Sequence, residues 1–198
     1  MTMAVSKTRE RLVEVARQLF ARSGVENTTM NDIAQASSKG RRTLYTYFKN
    51  KEEIYQAVVE SEIDKLNKML MEVASKDLPA DEKLITYIYS RLDAVKALVF
   101  RNGTLRANLF RDIWTVEKIR KDFDLRDIEV IKGILDEGIA QGLFNVPDPD
   151  IMASVLHHAL KGLEVPYIRG LMGDTISQRI KRRDNVMSLI FNGIKIKK

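Results

Sequence analysis

Residues 28–51, TTMNDIAQASSKGRRTLYTYFKNK, constrain the fold of this chain more than any other segment. The pattern predicts a short helix, a tight turn and a second short helix. Thr29 is followed three residues later by Asp32, which resembles a capping box at the start of the first helix. Residues 37–40 form the turn, and apolar side chains four residues apart would anchor the second helix. Such a pair of short helices is the unit with which many proteins read duplex DNA.

The second helix of this segment has an unusually basic start. Arg41, Arg42 and Thr43 open it, so donors lie at the helix end that enters a major groove. Residues 1–51 contain ten Lys and Arg against four Asp and Glu, whereas the rest of the chain contains 23 of each. The whole net charge of +6 therefore lies in the first quarter of the chain. This uneven charge favours phosphate binding over the alternative, a small helical core with an ordinary charged surface.

Apolar residues recur at helical spacing along the whole chain, and nothing favours strands. The first helix is predicted over 6–22, with Gly24 in the left-handed position that ends a helix. Further helices are predicted over 51–75, from about Pro79, over about 104–112 and over 116–141.

Turn and cap residues place the last two helices. Asp148 and Pro149 cap and open one of them, and Pro166 should kink or end it. Asp174 caps the final helix. We therefore predict an all-α chain of about nine helices, with a helix-turn-helix DNA-binding domain over 1–51 and a regulatory and dimerisation domain over 52–198.

Several classes of protein and site are disfavoured by composition. The chain has no cysteine, which excludes disulfides, a thiol nucleophile and a cysteine-based zinc site. His157 and His158 are adjacent and would point about 100° apart on a helix, so we predict no metal and no cofactor. The sequence contains no recognisable nucleophile with a base beside it and no phosphate-cradling glycine loop. It therefore does not point to an enzyme. No apolar run approaches about 18 residues and no signal-peptide core is present, so we expect a cytoplasmic protein.

The ordered pattern over residues 28–34 and 43–53, preceded by Ala16, Leu19, Phe20 and Gly24, resembles the TetR family of transcriptional regulators. The resemblance covers about residues 8–55. It implies a three-helix DNA-binding domain, followed by a larger helical domain that binds a ligand and dimerises. The chain departs from the family in the turn, where Ser38 and Lys39 replace a glycine and a small apolar residue. Serine is less suited than glycine to positive φ, and Lys39 cannot fill an apolar pocket between the two helices, so the turn is expected to be looser or differently shaped. The alternative is that Lys39 adds a phosphate contact.

The resemblance also implies which residues touch DNA. The start of the first helix would meet phosphates, Arg41, Arg42 and Thr43 would face the major groove, and two tyrosines would lie against the backbone. The lysine that opens the next long helix would meet a phosphate, helped by the helix dipole. With the turn included, the predicted DNA-binding residues are Thr28, Thr29, Lys39, Gly40, Arg41, Arg42, Thr43, Tyr45, Tyr47 and Lys51.

Two further sites are implied in the larger domain. The family commonly has an inducer pocket there, and the candidate lining residues are Tyr87, Phe100, Phe110, Trp114, Phe123, Leu156 and His157. The family also pairs its last two helices with those of a second copy, and the candidate interface residues are Leu156, Leu160, Leu163, Ile180, Met187, Ile190 and Phe191. For each residue, the alternative is ordinary core packing.

These observations lead to one functional hypothesis and its rivals. The chain is expected to be a repressor that binds a palindromic double-stranded operator as a homodimer and is released by a small-molecule effector, without a membrane partner. The rivals are a regulator controlled by a protein partner or by abundance, a sequence-independent DNA-packaging protein, and an enzyme.

Overall fold

The computed structural model describes residues 2–101 and 113–171, together with residues 188, 190–192 and 194. It confirms the all-α prediction. The predicted helix over 104–112 and most of the predicted final helix lie outside the described residues. None of the described helices has the length and apolar character that crossing a membrane requires. The helices are α1 (Thr2–Ser23), α2 (Met30–Ala36), α3 (Arg41–Tyr47), α4 (Lys51–Ala74), α5 (Ala80–Arg101), α6 (Ile113–Ala140) and α7 (Pro149–Ile168).

The chain divides into two compact units. Unit 1 comprises Met1–Lys65 and Ala97–Lys121, and unit 2 comprises Leu66–Lys96 and Asp122–Lys198. Helices α4, α5 and α6 each contribute residues to both units. The sequence places a domain boundary after residue 51, at the start of α4, whereas in the structure the first part of α4 packs into the core of unit 1.

The core of unit 1 joins the first four helices. Its members are the periodic apolar residues that the sequence marks on each helix, and they are almost completely buried. Gly24 ends α1 with a φ of 86°, which confirms the predicted left-handed position. The core residues are Leu12, Val13, Ala16, Phe20, Ile33, Ala34, Leu44, Phe48, Ile54, Tyr55, Ala57, Val58 and Val59.

In unit 2, the start of α5 is fastened to the end of α6. The backbone N–H of Ala80 donates to Oε1 of Gln141 at 2.9 Å, and Nζ of Lys83 lies 2.7 Å from Oε2 of Glu137. The first of these bonds satisfies one of the first N–H groups of α5, which have no partner within the helix.

The beginning of α7 confirms the predicted cap, and its end shows the effect of two turn residues. Oδ1 of Asp148 accepts a hydrogen bond from the N–H of Ile151 at 3.0 Å, and Pro149 is the first helical residue. Pro166 lies inside α7 and the helix continues two residues further. The helix thus ends within one turn after Pro166, which has no N–H to donate to the preceding turn. Gly170, with φ of 71°, then turns the chain.

Candidate nucleic-acid interface

The start of α2 is held by the predicted capping box. Oγ1 of Thr29 accepts a hydrogen bond from the N–H of Asp32 at 3.2 Å, and the N–H of Thr29 donates to Oδ2 of Asp32 at 2.8 Å. The hydroxyl of Thr29 also donates to Oδ2 of Asp32 at 2.7 Å, and this bond, followed by the one from the Thr29 N–H, lowers the pKa of Asp32. Thr28 is buried and its hydroxyl donates to the carbonyl of Gly24 at 2.7 Å. Thr29 is exposed, whereas Thr28 anchors the loop.

The turn between α2 and α3 is a Schellman motif. The N–H of Ser38 donates to the carbonyl of Gln35 at 3.1 Å, and the N–H of Lys39 donates to the carbonyl of Ala34 at 3.1 Å. Ser38 has a φ of 56°, in the left-handed region. The turn therefore keeps the regular hydrogen-bond pattern even though a serine occupies the left-handed position.

Two other helices end in the same motif with glycine. Gly142 has φ of 68° after α6, and Gly170 has φ of 71° after α7. In each, the glycine and the next residue donate to carbonyls three and five residues back. Among the described residues, Ser38 is the only residue other than glycine with a positive φ. The turn of the candidate interface therefore carries a strain that the other two turns avoid.

Helix α3 presents Arg42 to solvent because its opposite side is buried. Leu44 is completely buried and Phe48, just after the helix, is almost so. With about 100° per residue, Arg42 points about 160° away from Leu44. Arg41 lies on one flank, where its guanidinium carbon is 5.9 Å from the ring centre of Tyr45. The predicted groove-facing arginines are both exposed, and Arg42 is the one that points most directly outward.

The other predicted residues of α3 and its turn lie at the edges of this surface. Thr43 and Tyr47 are half-buried, and Tyr45 is exposed. Gly40 is the N-cap residue of α3, with φ of −65° and ψ of 150°, and supplies no side-chain cap. Lys39 is half-buried in the turn.

The first residue of α4 has a partner within unit 1. Nζ of Lys51 donates to the carbonyls of Val25 at 2.8 Å and Glu26 at 3.3 Å, which joins α4 to the loop between α1 and α2. Asn50 caps the helix, since its Oδ1 accepts from the N–H of Glu53 at 2.8 Å. The ammonium of Lys51 is therefore positioned by loop carbonyls.

A further cation lies against the residue that follows α3. The guanidinium carbon of Arg9, on α1, is 5.2 Å from the ring centre of Phe48. Arg9 and Lys49 are exposed, as are the two arginines that open α3. Exposed cations thus extend beyond α3 itself, an arrangement that suits a polyanionic backbone.

Unit 2 contains a buried polar cluster centred on Asp127. Oδ1 of Asp127 accepts from the hydroxyl of Tyr87 at 2.5 Å, and Oδ2 lies 3.1 Å from Nε of Arg91 and 2.6 Å from Nδ1 of His157. Nη2 of Arg91 is 2.9 Å from Oε1 of Glu164. The cluster therefore links α5, α6 and α7 through charges that are almost completely buried.

The protonation of this cluster follows from its geometry. Burial opposes ionisation of Asp127, but hydrogen bonds and charges from His157, Arg91 and Tyr87 outweigh it, so the pKa of Asp127 lies below its ordinary value. Burial, and then the charge of Asp127, raises the pKa of Tyr87. Because an ionised carboxylate only accepts hydrogen bonds, Nδ1 of His157 carries the proton between it and Asp127.

The predicted pocket residues are only partly brought together. Tyr87 and His157 meet at Asp127, and Phe123 and Leu156 are buried. Phe100 is exposed, at 56%. Phe110 and the side chain of Trp114 lie outside the described part of the chain. Sequence reasoning missed Arg91, Asp127 and Glu164, because no local pattern shows that a charged residue on a helix is buried.

The predicted interface residues divide between core and surface. Leu156 and Leu160 are buried within the chain, whereas Leu163, Ile190 and Phe191 are half-buried. Ile180 and Met187 lie outside the described residues.

A different stripe of α7 is exposed. Its members recur at alternating spacings of four and three residues, the spacing with which helices pack on each other. Ile151 and Val155 are more than half exposed, and Val165 is 38% exposed. In chain order the stripe is Ile151, Val155, His158, Gly162 and Val165.

Comparison with known proteins identifies the motif. Residues 12–58 match the model of the tetR family of bacterial regulatory proteins. The chain is 26% identical over 196 residues to the probable acrEF/envCD operon repressor of Escherichia coli (strain K12), covering 92% of this chain and 86% of that one. Within residues 12–58 the chain therefore has the DNA-binding motif of the TetR family. An uncharacterised HTH-type transcriptional regulator of Bacillus subtilis (strain 168), YhgD, is 25% identical over 145 residues, 73% of this chain and 76% of that one.

A solved structure of a transcriptional regulator shares the fold of this chain. A transcriptional regulator from Cytophaga hutchinsonii ATCC 33406 superposes with a TM-score of 0.74 at 23% identity, covering 94% of this chain and 98% of the other. Residues 12–58, which the family model matches, include Thr29, Arg42 and Lys51.

Proposed function

We propose that this TetR-family regulator is a repressor that binds a palindromic operator as a homodimer and releases it when a small molecule binds unit 2. Members of the family are commonly repressors with ligand-binding domains. Because its partner is chromosomal DNA, we place its action in the cytoplasm. The proposal has three parts, namely base reading by α3, dimerisation through α7 and control by unit 2.

The exposed face of α3 carries the DNA-reading part of the proposal. Arg42 projects away from the buried Leu44, and its guanidinium can make a bidentate pair with O6 and N7 of a guanine in the major groove. Arg41, beside Tyr45, and Thr29 at the start of α2 would contact the backbone and set the register. Thr28 is left out of this contact set because it is buried.

Selection from a randomised duplex library with the full chain tests this part. A repressor that dimerises should recover a palindrome whose two halves lie one helical turn, or a multiple of it, apart. A protein that retains every duplex equally at fixed salt would instead be a sequence-independent DNA binder.

The exposed stripe of α7 supports the dimer. Glycine within a helix costs about 0.5–1 kcal/mol relative to alanine, yet Gly162 lies in the middle of α7. A Cβ built on Gly162 meets no atom within 4 Å, so packing within the chain does not require glycine there. Between the apolar residues Val155 and Val165, a glycine allows the backbone of another helix to approach closely. We infer that this helix is α7 of a second copy.

Unit 2 is proposed to respond to the effector through the cluster around Asp127. The cluster holds α5, α6 and α7 in one arrangement, and a ligand that favours another arrangement would shift the population between the two. Since α4 contributes residues to both units, a change in unit 2 can reach the unit that contacts DNA. The coupling must be reciprocal, so operator DNA should weaken effector binding by the same factor.

One observation favours the rival without a small ligand. Two of the predicted polar pocket residues, Tyr87 and His157, already bond to Asp127 inside the chain. Screening small molecules for release of the selected operator separates the two candidates. Release by a compound that also raises the melting temperature supports the inducer. Release only by a protein fraction supports the rival.

A further inference from the structure

The outward side of α3 contains a second side chain besides Arg42. Thr46 is exposed and lies four residues after Arg42, so the two are neighbours on one helix face. With about 100° per residue, Thr46 also points about 160° away from the buried Leu44, measured in the opposite sense around the helix from Arg42. The two side chains therefore both point outward, about 40° apart. Arg41 and Tyr45 occupy one flank, and the half-buried Thr43 and Tyr47 occupy the other. Arg42 and Thr46 are therefore the two residues that a groove would meet first.

The hydroxyl of Thr46 is already in use. Its Oγ1 donates to the carbonyl of Arg42 at 2.9 Å, so the one proton of the hydroxyl is spent within the helix. This bond selects one of the two side-chain conformations that threonine adopts in helices. The methyl group of Thr46 is then the part of the side chain that remains for an apolar contact with a base.

We infer that Thr46 is a specificity-determining residue that recognises the C5-methyl group of a thymine in each half-site. Thymine is the base that presents a methyl group in the major groove, and threonine methyl groups contact it. Arg42 and Thr46 lie about 6 Å apart along the helix axis, which corresponds to about two base-pair steps. The thymine is therefore expected within two base pairs of the guanine that Arg42 reads. This inference rests on the proposed reading of DNA by α3.

The experiment combines a protein change with a DNA change. The full chain first selects its operator from random duplexes. Each thymine of the half-site is then replaced in turn by deoxyuridine, which lacks only the C5-methyl group. Affinities are measured at one salt concentration for wild type, Thr46→Ser and Thr46→Val. Serine keeps the hydroxyl and removes the methyl, whereas valine keeps a methyl and removes the hydroxyl.

One thymine should behave differently from the others. Removing its methyl group should weaken wild type and Thr46→Val about four-fold, the value of one buried methyl-sized group. The same replacement should leave Thr46→Ser unchanged. With cytosine at that position, 5-methylation of the cytosine should recover part of the binding by wild type and Thr46→Val but not by Thr46→Ser. Thr86→Ser is the matched control, because Oγ1 of Thr86 makes the same bond to the carbonyl four residues earlier, that of Glu82, in unit 2. It should bind like wild type.

The result that would overturn the inference is equal sensitivity of wild type and Thr46→Ser to every deoxyuridine replacement. Failure of the proposed function would look different, because no duplex would then be preferred in the first selection. If an operator is selected but wild type and Thr46→Ser respond alike to every deoxyuridine replacement, the DNA-binding proposal stands and the role of Thr46 is rejected.

Discussion

The strained turn before α3 gives a quantitative prediction for Ser38→Gly. A left-handed conformation costs a residue other than glycine about 1–2 kcal/mol. Glycine loses more chain entropy on folding, which offsets about 0.5–1 kcal/mol of the gain. Because no hydrogen bond of the Ser38 side chain is among the described contacts, the variant should be more stable by about 0.5–1 kcal/mol. For a chain of this size, that corresponds to about 1–4 °C in melting temperature.

The assay is urea unfolding followed by circular dichroism, which reports helix loss directly. Gly142→Ser is the matched inverse, because Gly142 occupies the same position in another Schellman motif and an added Cβ there meets no atom within 4 Å. It should be destabilised by a similar amount. Ser38→Ala should change little, since alanine meets the same backbone strain.

The reasoning about strain fails if Ser38→Gly is no more stable than wild type while Gly142→Ser is clearly less stable. That outcome would mean that the serine in this turn is stabilised by an interaction that glycine cannot make. Operator affinity of Ser38→Gly, measured in parallel, would then show whether the serine contributes to DNA binding.

Three further predictions concern unit 2. Asp127→Asn should lose up to about 3–5 kcal/mol by urea unfolding, since it leaves the buried guanidinium of Arg91 with only one of its two carboxylates. Folding lowers the pKa of Asp127, so the ionised carboxylate stabilises the folded protein at pH values above its ordinary pKa of about 3.9. This stabilisation is lost as the pH falls through the lowered pKa of the folded state. Wild type should therefore lose stability towards acid more steeply than Asp127→Asn, and parallel curves would contradict this. Gly162→Ala should weaken the dimer in sedimentation experiments. Gly133→Ala, also at an open helical site, should leave the dimer unchanged. Equal dimerisation of wild type and Gly162→Ala would reject the α7 interface. Gly138→Ala should destabilise the chain by about 1–3 kcal/mol, because a Cβ would lie 2.1 Å from the ring of Phe144, and an unchanged melting temperature would contradict that packing.

Local signals in the sequence predicted the helix ends well, for a physical reason. The capping box of Thr29, the glycine after α1 and the Asp148–Pro149 pair act through hydrogen bonds and backbone angles within a few residues. Those interactions are visible in a short stretch of sequence. The departure at Ser38 was visible for the same reason, because only the preference of glycine for positive φ was needed.

Contacts between distant residues could not be predicted in this way. The cluster of Arg91, Asp127 and Glu164 brings together side chains from three helices, and each of them resembles an ordinary surface charge in its own helix. Lys51 shows the same limit. Its place at a helix start suggested a phosphate contact, whereas its bonds to loop carbonyls depend on how the chain folds back. Whether it also meets a phosphate stays a prediction.

The most direct test of the account is the ratio of affinities for the selected operator and a scrambled duplex at one salt concentration. Wild type should prefer the operator by about a thousand-fold or more. Arg42→Ala should lose about 5- to 150-fold of this ratio, the value of a bidentate pair with guanine, whereas Arg169→Ala, an exposed arginine at the end of α7, should keep it. Equal binding of both duplexes by wild type, or a full ratio in Arg42→Ala, would contradict base reading by the outward face of α3.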